Sequence, residues 1–231
     1  MIAIGGTKIT KAYLGSTELK NIAIGDELLL NSEPLPYDAE IEWLESVDGA
    51  YIDTGISGYS TLKFNIHLIA SSSHTGSLFG SRISANSGLY TVFCKNQSGA
   101  TDNGIRWGFG GQNVYINSKK TMLATGREVV MRNNPQPRTM TYDETYTISA
   151  NNVTFNNNQS IHLFGMNNNG THSNIQSGTT KVLSFTLTEG GTTLLDFIPV
   201  RVGQVGYMYD KISGNLFGNV GQGSFNIGND K

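Results

Sequence analysis

Apolar and polar residues alternate along most of the chain, as in strands that cover a core with one face. In segment 62–68 every second residue is apolar, and the residues between are polar. Segments 105–109 and 183–187 repeat this alternation, which predicts that Leu183, Phe185 and Leu187 share a core face. The sequence shows no long amphipathic helical pattern. We therefore predict an all-β protein built from half-buried antiparallel strands.

The carboxyl-terminal segment has the pattern of a meander that belongs to the core. Four short apolar stretches, 195–202, 207–210, 215–217 and 224–227, are separated by glycine-containing turns. Many short strands with closely spaced turn signals favour an antiparallel sandwich or jelly roll over a parallel α/β sheet. Arg201, between two valines, is predicted to point away from them and to pair with a carboxylate such as Asp210.

The first thirty residues form a separate pattern of short strands and glycine turns. Ile2-Ala3-Ile4-Gly5 recurs as Ile22-Ala23-Ile24-Gly25. A segment this small buries too little apolar area to be stable alone, so we expect it to pack on a partner chain, a symmetry mate or the main domain. Pro34 and Pro36 interrupt any regular ladder. The predicted division is a β segment over residues 1–32, a linker over 33–38 and a sandwich over 39–231.

Composition narrows the possible partners. Only 15% of the residues are charged and the formal net charge is −2, so the chain lacks the cationic excess that nucleic-acid phosphates require. No stretch approaches the roughly 20 apolar residues of a membrane span, and the amino terminus does not resemble a secretory signal. We therefore expect neither nucleic acid binding nor membrane insertion. The single cysteine, Cys94, is interpreted as a small buried hydrophobe.

Residues for catalysis or metal binding are not found in a suitable pattern. A glycosidase needs two carboxylates facing each other across the scissile bond. The spacing of Glu42 and Glu45 places them on opposite faces of a regular strand, and Glu40 and Glu42, which share a face, fit a solvated strand edge better. The four histidines, at 67, 74, 162 and 172, have no metal-type spacing, and His67 and His162 are predicted on polar strand faces. Oxygen-rich loops at 102–103 and 167–169 offer few charged ligands. We predict a non-enzymatic protein without cofactor or metal.

Several motifs are given structural roles. Asp53 precedes Thr54-Gly55 and is predicted to accept local backbone hydrogen bonds in a turn. Segment 108–111, Gly-Phe-Gly-Gly, is predicted to form a tight hairpin. The repeated Leu-Phe-Gly, at 78–80 and 163–165, is expected to bury its phenylalanine and to end a strand at its glycine.

The order of three segments is similar to that of concanavalin-like, laminin-G-like jelly rolls from tail and other surface proteins of phages and prophages of gut bacteria. The segments are Ile41 to Gly55 with Tyr51-Ile52-Asp53-Thr54-Gly55, Leu78 to Arg82 with its later partner Ile161 to Gly165, and Asp196 to Asn219. Lys11 to Thr17 also resembles a motif of phage structural proteins. The resemblance covers residues 40–229 and is most specific in the third segment.

This resemblance implies an antiparallel, concanavalin-like jelly roll in a phage virion. The protein would be a fibre or receptor-binding component, made in the host cytoplasm and released by lysis. Residues 1–32 would attach to other virion proteins or assemble a homo-oligomer, and the jelly roll would contact host surface polysaccharide. Two alternatives remain: a purely structural head-fibre, decoration or tail-associated protein, and, disfavoured by its carboxylates, a polysaccharide-trimming hydrolase.

The residues with the chemistry of sugar binding lie in one glycine-rich region. Sugars are held by aromatic faces together with amide and hydroxyl groups, and the candidates are Tyr90, Trp107, Asn113 and Tyr115. Trp107 also fits the core, because it alternates with Ile105 and Phe109. Tyr115 is the better exposed candidate.

Overall fold

A computed structural model describes the strands of the first 34 residues and residues 35–71, 76–95, 104–117, 128–134, 138–143, 146–174 and 179–231. Side chains before residue 35, and those of residues 95, 116, 117, 134 and 174, are not part of this description. The chain divides into two compact units, Met1–Pro36 and Tyr37–Lys231.

The first unit consists of short antiparallel hairpins. Its strands are β1 (Ala3–Ile4) with β2 (Thr7–Lys8), β3 (Ala12–Leu14) with β4 (Thr17–Leu19), and β5 (Asn21–Ile24) with β6 (Glu27–Asn31). The predicted run of short strands is therefore present. Its role in attachment stays a prediction.

The second unit is all-β over its described residues. Its strands are β7 (Ala39–Glu40), β8 (Leu44–Val47), β9 (Ile52–Tyr59), β10 (Lys63–Ala70), β11 (Gly76–Arg82), β12 (Leu89–Lys95), β13 (Gly104–Gly110), β14 (Gln112–Asn117), β15 (Val129–Asn134), β16 (Thr139–Tyr142), β17 (Tyr146–Ser149), β18 (Asn156–Leu163), β19 (Gly165–Asn168), β20 (Thr171–Asn174), β21 (Thr180–Glu189), β22 (Thr192–Val202), β23 (Val205–Asp210), β24 (Leu216–Phe217) and β25 (Ser224–Ile227). No helix occurs among these residues.

These strands form two sheets, which we call the large and the small sheet. The large sheet has eleven strands along the order β17-β16-β15-β10-β21-β22-β23-β24, with β7 beside β22 and β8 between β21 and β25. The small sheet has eight strands along the order β14-β13-β12-β11-β18-β9, and β19 joins β20 to β11. The described pairings are antiparallel except that of β11 with β19. The predicted all-β, antiparallel sandwich is confirmed.

The core lies between the inward faces of the two sheets. Phe79 of β11 contacts Phe64 of β10 and Phe185 of β21, with ring centroids 4.8 and 5.1 Å apart. Cys94 is buried in the same core, as predicted. Phe79 and Phe164 of the repeated Leu-Phe-Gly are both buried, but Gly80 lies within β11 rather than at its end. Aromatic packing between the sheets therefore supplies much of the buried apolar area.

A β-bulge in β21 changes the predicted core face of this strand. The register between β10 and β21 shifts so that Leu68 pairs with Val182 while His67 pairs with Ser184. Leu183 is the extra residue, and its side chain is only half-buried whereas Val182 is fully buried. The prediction that Leu183 shares the face of Phe185 is wrong, because a bulge sets two residues opposite one and breaks the alternation.

The carboxyl-terminal strands follow the predicted meander except for the last one. β22, β23 and β24 are sequential neighbours. β25 instead pairs with β8, where Ser224 lies opposite Val47 and Ile227 opposite Leu44. The end of the chain is thus held by the beginning of the sandwich domain rather than by the meander.

Arg201 binds a different carboxylate from the one predicted. Its Nε and Nη2 atoms donate to the two carboxylate oxygens of Asp230, each at 2.6 Å. Asp210 lies opposite Phe197, four residues along the strand from Arg201, and accepts backbone hydrogen bonds from Asp196 and Ser213. The prediction that Arg201 pairs with a carboxylate is confirmed, but Asp210, named as an example, is not the partner because strand register separates the two side chains.

Candidate functional site

The register of the small sheet aligns six residues on its outer face, from β9 to β14. We call them the transverse row: Asp53, His162, Gly80, Thr91, Gly108 and Asn113. Their neighbours Phe79, Tyr90 and Trp107 point into the core, and side chains alternate along a strand, so the row faces away from the core. A line of polar residues therefore crosses the outer face of this sheet, interrupted by two glycines.

Two oxygen atoms of the row converge over Gly108. A Cβ atom at Gly108 would lie against Thr91 Oγ1 and 3.5 Å from Asn113 Oδ1. Both oxygens are buried, and neither has a hydrogen-bond partner in the described part of the chain. Buried polar atoms are normally paired, and leaving one unpaired costs about 1–3 kcal/mol.

A second row beside Gly108 adds a cation and two aromatic rings. Phe93, Arg106 and Tyr115 are aligned across β12, β13 and β14. The Arg106 guanidinium lies 4.3 Å from the centre of the Phe93 ring, and its buried Nε has no hydrogen-bond partner among the described residues. Tyr115 is 38% exposed. We call the group Thr91, Arg106, Gly108, Asn113 and Tyr115 the Gly108 niche.

The structure separates the four predicted ligand-binding residues. Asn113 and Tyr115 lie together in the Gly108 niche. Tyr90 and Trp107 are each 1% exposed and point into the core. The Tyr90 hydroxyl donates to the Leu62 carbonyl at 3.1 Å, and burial raises its pKa well above the usual value.

Tyr90 and Trp107 are therefore withdrawn as ligand-binding residues, because a buried ring has no face to offer a sugar. The structure favours the core alternative for Trp107, which packs on Phe109 with ring centroids 4.9 Å apart. Sequence reasoning missed Thr91 and Arg106. Each is the direct neighbour of a buried aromatic residue in a strand, so the alternation could have placed both on the outer face.

A second polar cluster lies at the other end of the transverse row. Nδ1 of His162 lies 3.0 Å from Nδ1 of His172. The Tyr51 ring stacks on the His172 ring at 3.7 Å and on the His162 ring at 4.5 Å. His162 was predicted to be either solvated or hydrogen-bonded. It is 4% exposed, so it is hydrogen-bonded and not solvated. β18 and the hairpin of β19 and β20 bring His162 and His172 together, although their spacing in the sequence did not predict a contact.

Asp53 connects this cluster to a local turn. Its Oδ1 accepts the Gly55 N–H at 2.9 Å, which confirms the predicted turn role. Its Oδ2 lies 3.6 Å from His162 Nε2. The contact with His162, followed in size by burial in the opposite direction and the hydrogen bond from Gly55, lowers the pKa of Asp53 to about 2. No cluster of three or more His, Cys, Asp or Glu side chains suited to a metal occurs among the described residues.

We expect Asp53→Asn to destabilise the protein only where Asp53 is ionised. The folded-state pKa lies below the ordinary value of 3.8, so the carboxylate stabilises the fold above that pH and loses its effect as the pH falls toward 2. Since the side chain is 41% exposed, solvent screening reduces the effect to about 1 kcal/mol at pH 6. Urea unfolding of both proteins at pH 6 and at pH 2 measures it.

The same comparison in a His162→Gln background is the control. Removing the main partner should shrink the destabilisation that Asp53→Asn causes at pH 6. A destabilisation that stayed constant from pH 6 to pH 2 would show that the amide disturbs the turn rather than the contact with His162.

An open depression of about 480 Å³ adjoins the Tyr51 cluster. It is lined by Asp48, Gly49, Tyr51, Thr171, His172, Val220, Gly221 and Gln222. The backbone N–H of Tyr51 donates to Asn219 Oδ1 at 3.1 Å, and Asn219 Nδ2 donates to carbonyls of the following loop. Tyr51, His162 and Asn219 belong to the three segments that carry the jelly-roll resemblance. Because Tyr51 contacts both His162 and Asn219, the cluster holds these three segments together.

The acidic residues near the start of the sandwich domain make structural contacts. Glu42 accepts a hydrogen bond from Asn229 Nδ2 at 3.2 Å, and Glu45 accepts one from Asn226 Nδ2 at 3.1 Å. Asp48 occupies a turn with a φ of 52°. The Asn167 and Asn168 side-chain oxygens, in one of the two oxygen-rich loops, accept hydrogen bonds from Gly170 N–H and Arg82. The loop at 102–103 lies outside the described residues.

The sequence matches no known family model and no curated protein. Across the described residues, no helix has the length and apolar character needed to cross a membrane. The function is therefore inferred from the geometry of the Gly108 niche and from the sequence motifs.

Proposed function

We propose that this protein is a fibre or receptor-binding component of a phage virion, and that its sandwich is a concanavalin-like jelly roll that binds host surface glycan. One observation carries the glycan-binding part. The Tyr115 ring is 38% exposed on the outer face of the small sheet, and Asn113 lies two residues before it on the same face, level with Gly108, which has no side chain. An exposed aromatic face beside an amide is a combination that sugar binding uses.

The chemistry of the niche matches that of a saccharide. The Tyr115 ring offers a face for the apolar C–H surface of a pyranose. The side chains of Asn113 and Arg106 are half-buried on the same face and supply amide and guanidinium N–H donors for sugar oxygens. All these groups are on paired strands of one sheet, which holds their spacing with little conformational entropy lost on binding.

The virion setting is supported by the motifs and by the form of the first unit. Lys11 to Thr17 resembles a motif of phage structural proteins. Each described sheet of this unit has two strands, and a two-stranded sheet is marginal in water without further packing. We propose that residues 1–32 pair with other virion proteins or with copies of the same chain.

Replacing Tyr115 by alanine should weaken glycan binding and leave stability almost unchanged. Loss of a stacked aromatic ring is expected to reduce affinity roughly 10-fold, since such contacts contribute about 1 kcal/mol or more. The melting temperature should stay near wild type because the side chain is partly in water. A glycan array probed with the full-length protein, followed by titration of the best ligand, measures the change.

Ile212→Ala is the matched control, because Ile212 is an exposed apolar residue after β23 of the large sheet. It should leave binding intact. An equal loss of affinity in Tyr115→Ala and Ile212→Ala would contradict the assignment of glycan binding to the Gly108 niche. If no array component binds while immunogold labelling finds the protein on purified virions, the purely structural alternative is correct.

A further inference from the structure

His162 and His172 contact each other through the same ring nitrogen of each side chain. Their Nδ1 atoms lie 3.0 Å apart. At this distance a single hydrogen atom lies between the two nitrogens, so one ring donates and the other accepts. A histidine cation carries a proton on both ring nitrogens, and two cations would therefore direct two N–H groups at each other. The contact is compatible with at most one positive charge on the pair.

The surroundings of His162 favour that one charge. Its Nε2 lies 3.6 Å from Oδ2 of Asp53. The pKa of Asp53 is lowered to about 2, so this carboxylate stays ionised in mild acid. A proton on His162 is thus held between a carboxylate and the accepting nitrogen of His172. The His162 side chain is only 5% exposed, which leaves little water to solvate a second charge beside it.

The strands next to the pair contribute neutral positions and one cation. β11 has Gly80, which lacks a side chain, opposite His162, and Arg82 follows two residues later. Arg82 Nε donates to a side-chain amide oxygen of β19 at 2.9 Å. β19 also places the neutral Asn167 opposite His172. A cation on the neighbouring strand adds to the repulsion that a second proton meets.

Tyr51 and Asp48 complete the surroundings of the pair. The half-buried Tyr51 ring stacks on both imidazole rings. Asp48 lines the depression together with His172, but it is exposed, and water screens its carboxylate. The loop residues 220–222, across the depression, are uncharged. Asp53 therefore balances one charge on the pair, and a second charge would depend on the screened Asp48.

The pair of histidines holds a hairpin at the margin of the small sheet. His172 belongs to β20, and the described ladder of β20 is with β19. The hairpin of β19 and β20 is attached to β11 through two residue pairs, and the Asn169 N–H donates to the Arg82 carbonyl at 2.9 Å. This backbone attachment is short. The ring contacts of His172 with His162 and Tyr51 therefore help to hold the hairpin on the sheet.

We infer that the contact between His162 and His172 is a proton-operated latch, which holds the hairpin of β19 and β20 at neutral pH and releases it when both histidines are protonated. The inference is independent of the proposed glycan binding, which uses another part of the small sheet. A histidine in water takes up its proton near pH 6.5. In mild acid the released form thus binds two protons, whereas the latched form binds one. Because the forms differ by one proton, the ratio of released to latched hairpin should rise roughly 10-fold for each pH unit below about 6.5.

Hydrogen exchange of the full-length protein, followed by mass spectrometry at about pH 7.5, 6.0 and 4.5, tests this latch. Measured rates are divided into those of an unstructured peptide at the same pH, which gives a protection factor for each segment. Peptides covering residues 165–174, which include the Asn169 amide, should lose protection roughly 100-fold between pH 7.5 and pH 4.5. Peptides of β12 and β13, which contain no histidine, should keep their protection.

Two variants test the residues. His172→Asn places a neutral polar atom at the position of the histidine Nδ1 and has no proton to take up, so protection of residues 165–174 should no longer depend on pH. His67→Gln is the matched control. It removes a histidine of β10 in the large sheet whose Nε2 also lies near a carboxylate, that of Glu128 at 3.0 Å. It should lose protection at residues 165–174 in acid as the wild-type protein does.

The pH series on the unaltered protein decides the inference even if His172→Asn does not fold. Protection of residues 165–174 that stayed constant down to pH 4.5 would overturn the latch. An equal loss of protection in β12 and β13 would also overturn it, because the whole sheet would then be unfolding. A pH dependence in His172→Asn as steep as that of the wild-type protein has the same consequence. Each of these results leaves the proposed glycan binding standing.

Discussion

Phe197→Ala is expected to unfold far below the wild-type protein. Phe197 is fully buried on β22, lies opposite Phe185 of β21, and packs on Phe217 of β24 with ring centroids 4.9 Å apart. Truncating a buried phenylalanine to alanine costs about 3–5 kcal/mol, since contacts are lost and a cavity remains. This is a large part of the roughly 5–15 kcal/mol that stabilises a domain. Equilibrium urea denaturation measures it.

Val202→Ala is the matched control for this prediction. Val202 is on the same strand but is 38% exposed, so its truncation should change the free energy of unfolding by about 0.5 kcal/mol or less. If Phe197→Ala unfolded at the same urea concentration as Val202→Ala, the meander of β22, β23 and β24 would not belong to the core.

Gly80→Ala is expected to lower the free energy of unfolding by a similar amount, because the added side chain strains the backbone. Gly80 has a φ of +146°, a conformation that L side chains rarely adopt. An added Cβ would stand 2.5 Å from the Tyr90 carbonyl oxygen and 2.6 Å from the Thr91 Cα. These are backbone atoms of the paired strand β12, so they cannot move without breaking the sheet. Strain and overpacking together should cost about 3 kcal/mol or more.

Gly190→Ala separates strain from overpacking. Gly190 also has a positive φ, of 56°, but an added Cβ there would meet no atom within 4 Å. This variant should lose only about 1–2 kcal/mol, the cost of the left-handed conformation. Thermal melting of both variants is the measurement. A Gly80→Ala protein as stable as Gly190→Ala would show that β11 and β12 are not as close as described.

Gly80 also affects the candidate site, because its close approach fixes the position of Thr91. A Gly80→Ala protein that still folded should bind glycan less well, since a displaced β12 would also displace its partner β13 and Arg106 of the Gly108 niche. The stability of the small sheet and the geometry of the Gly108 niche therefore depend on the same absence of a side chain.

Local sequence patterns correctly predicted the structural features that depend on residues close together in the sequence. The period of two identified β10 and β13 and the inward side of each, because alternation is a property of a single strand. Segment 108–111 forms the predicted hairpin, in which Phe109 pairs with Gln112 around two glycines. Asp53 makes its predicted turn contact, since that partner is two residues away.

Contacts between residues distant in sequence were decided only by the tertiary structure. The bulge at Leu183, the pairing of β25 with β8, and the bond from Arg201 to Asp230 each depend on which strands become neighbours. The sequence pattern of one strand does not specify its partner's register. For this reason the sequence predicted that Arg201 pairs with a carboxylate but did not identify Asp230 as the partner.

The candidate site was likewise predicted in part from local sequence and decided in part by tertiary contacts. The sequence by itself determined that this is an all-β chain, that aromatic residues fill its core, and that Tyr115 and Asn113 are candidates for sugar binding. Tertiary structure decided that Tyr90 and Trp107 point inward while Thr91 and Arg106 join Tyr115 and Asn113 on the outer face. These residues come from three strands, and only the hydrogen-bonded register of a sheet sets them side by side.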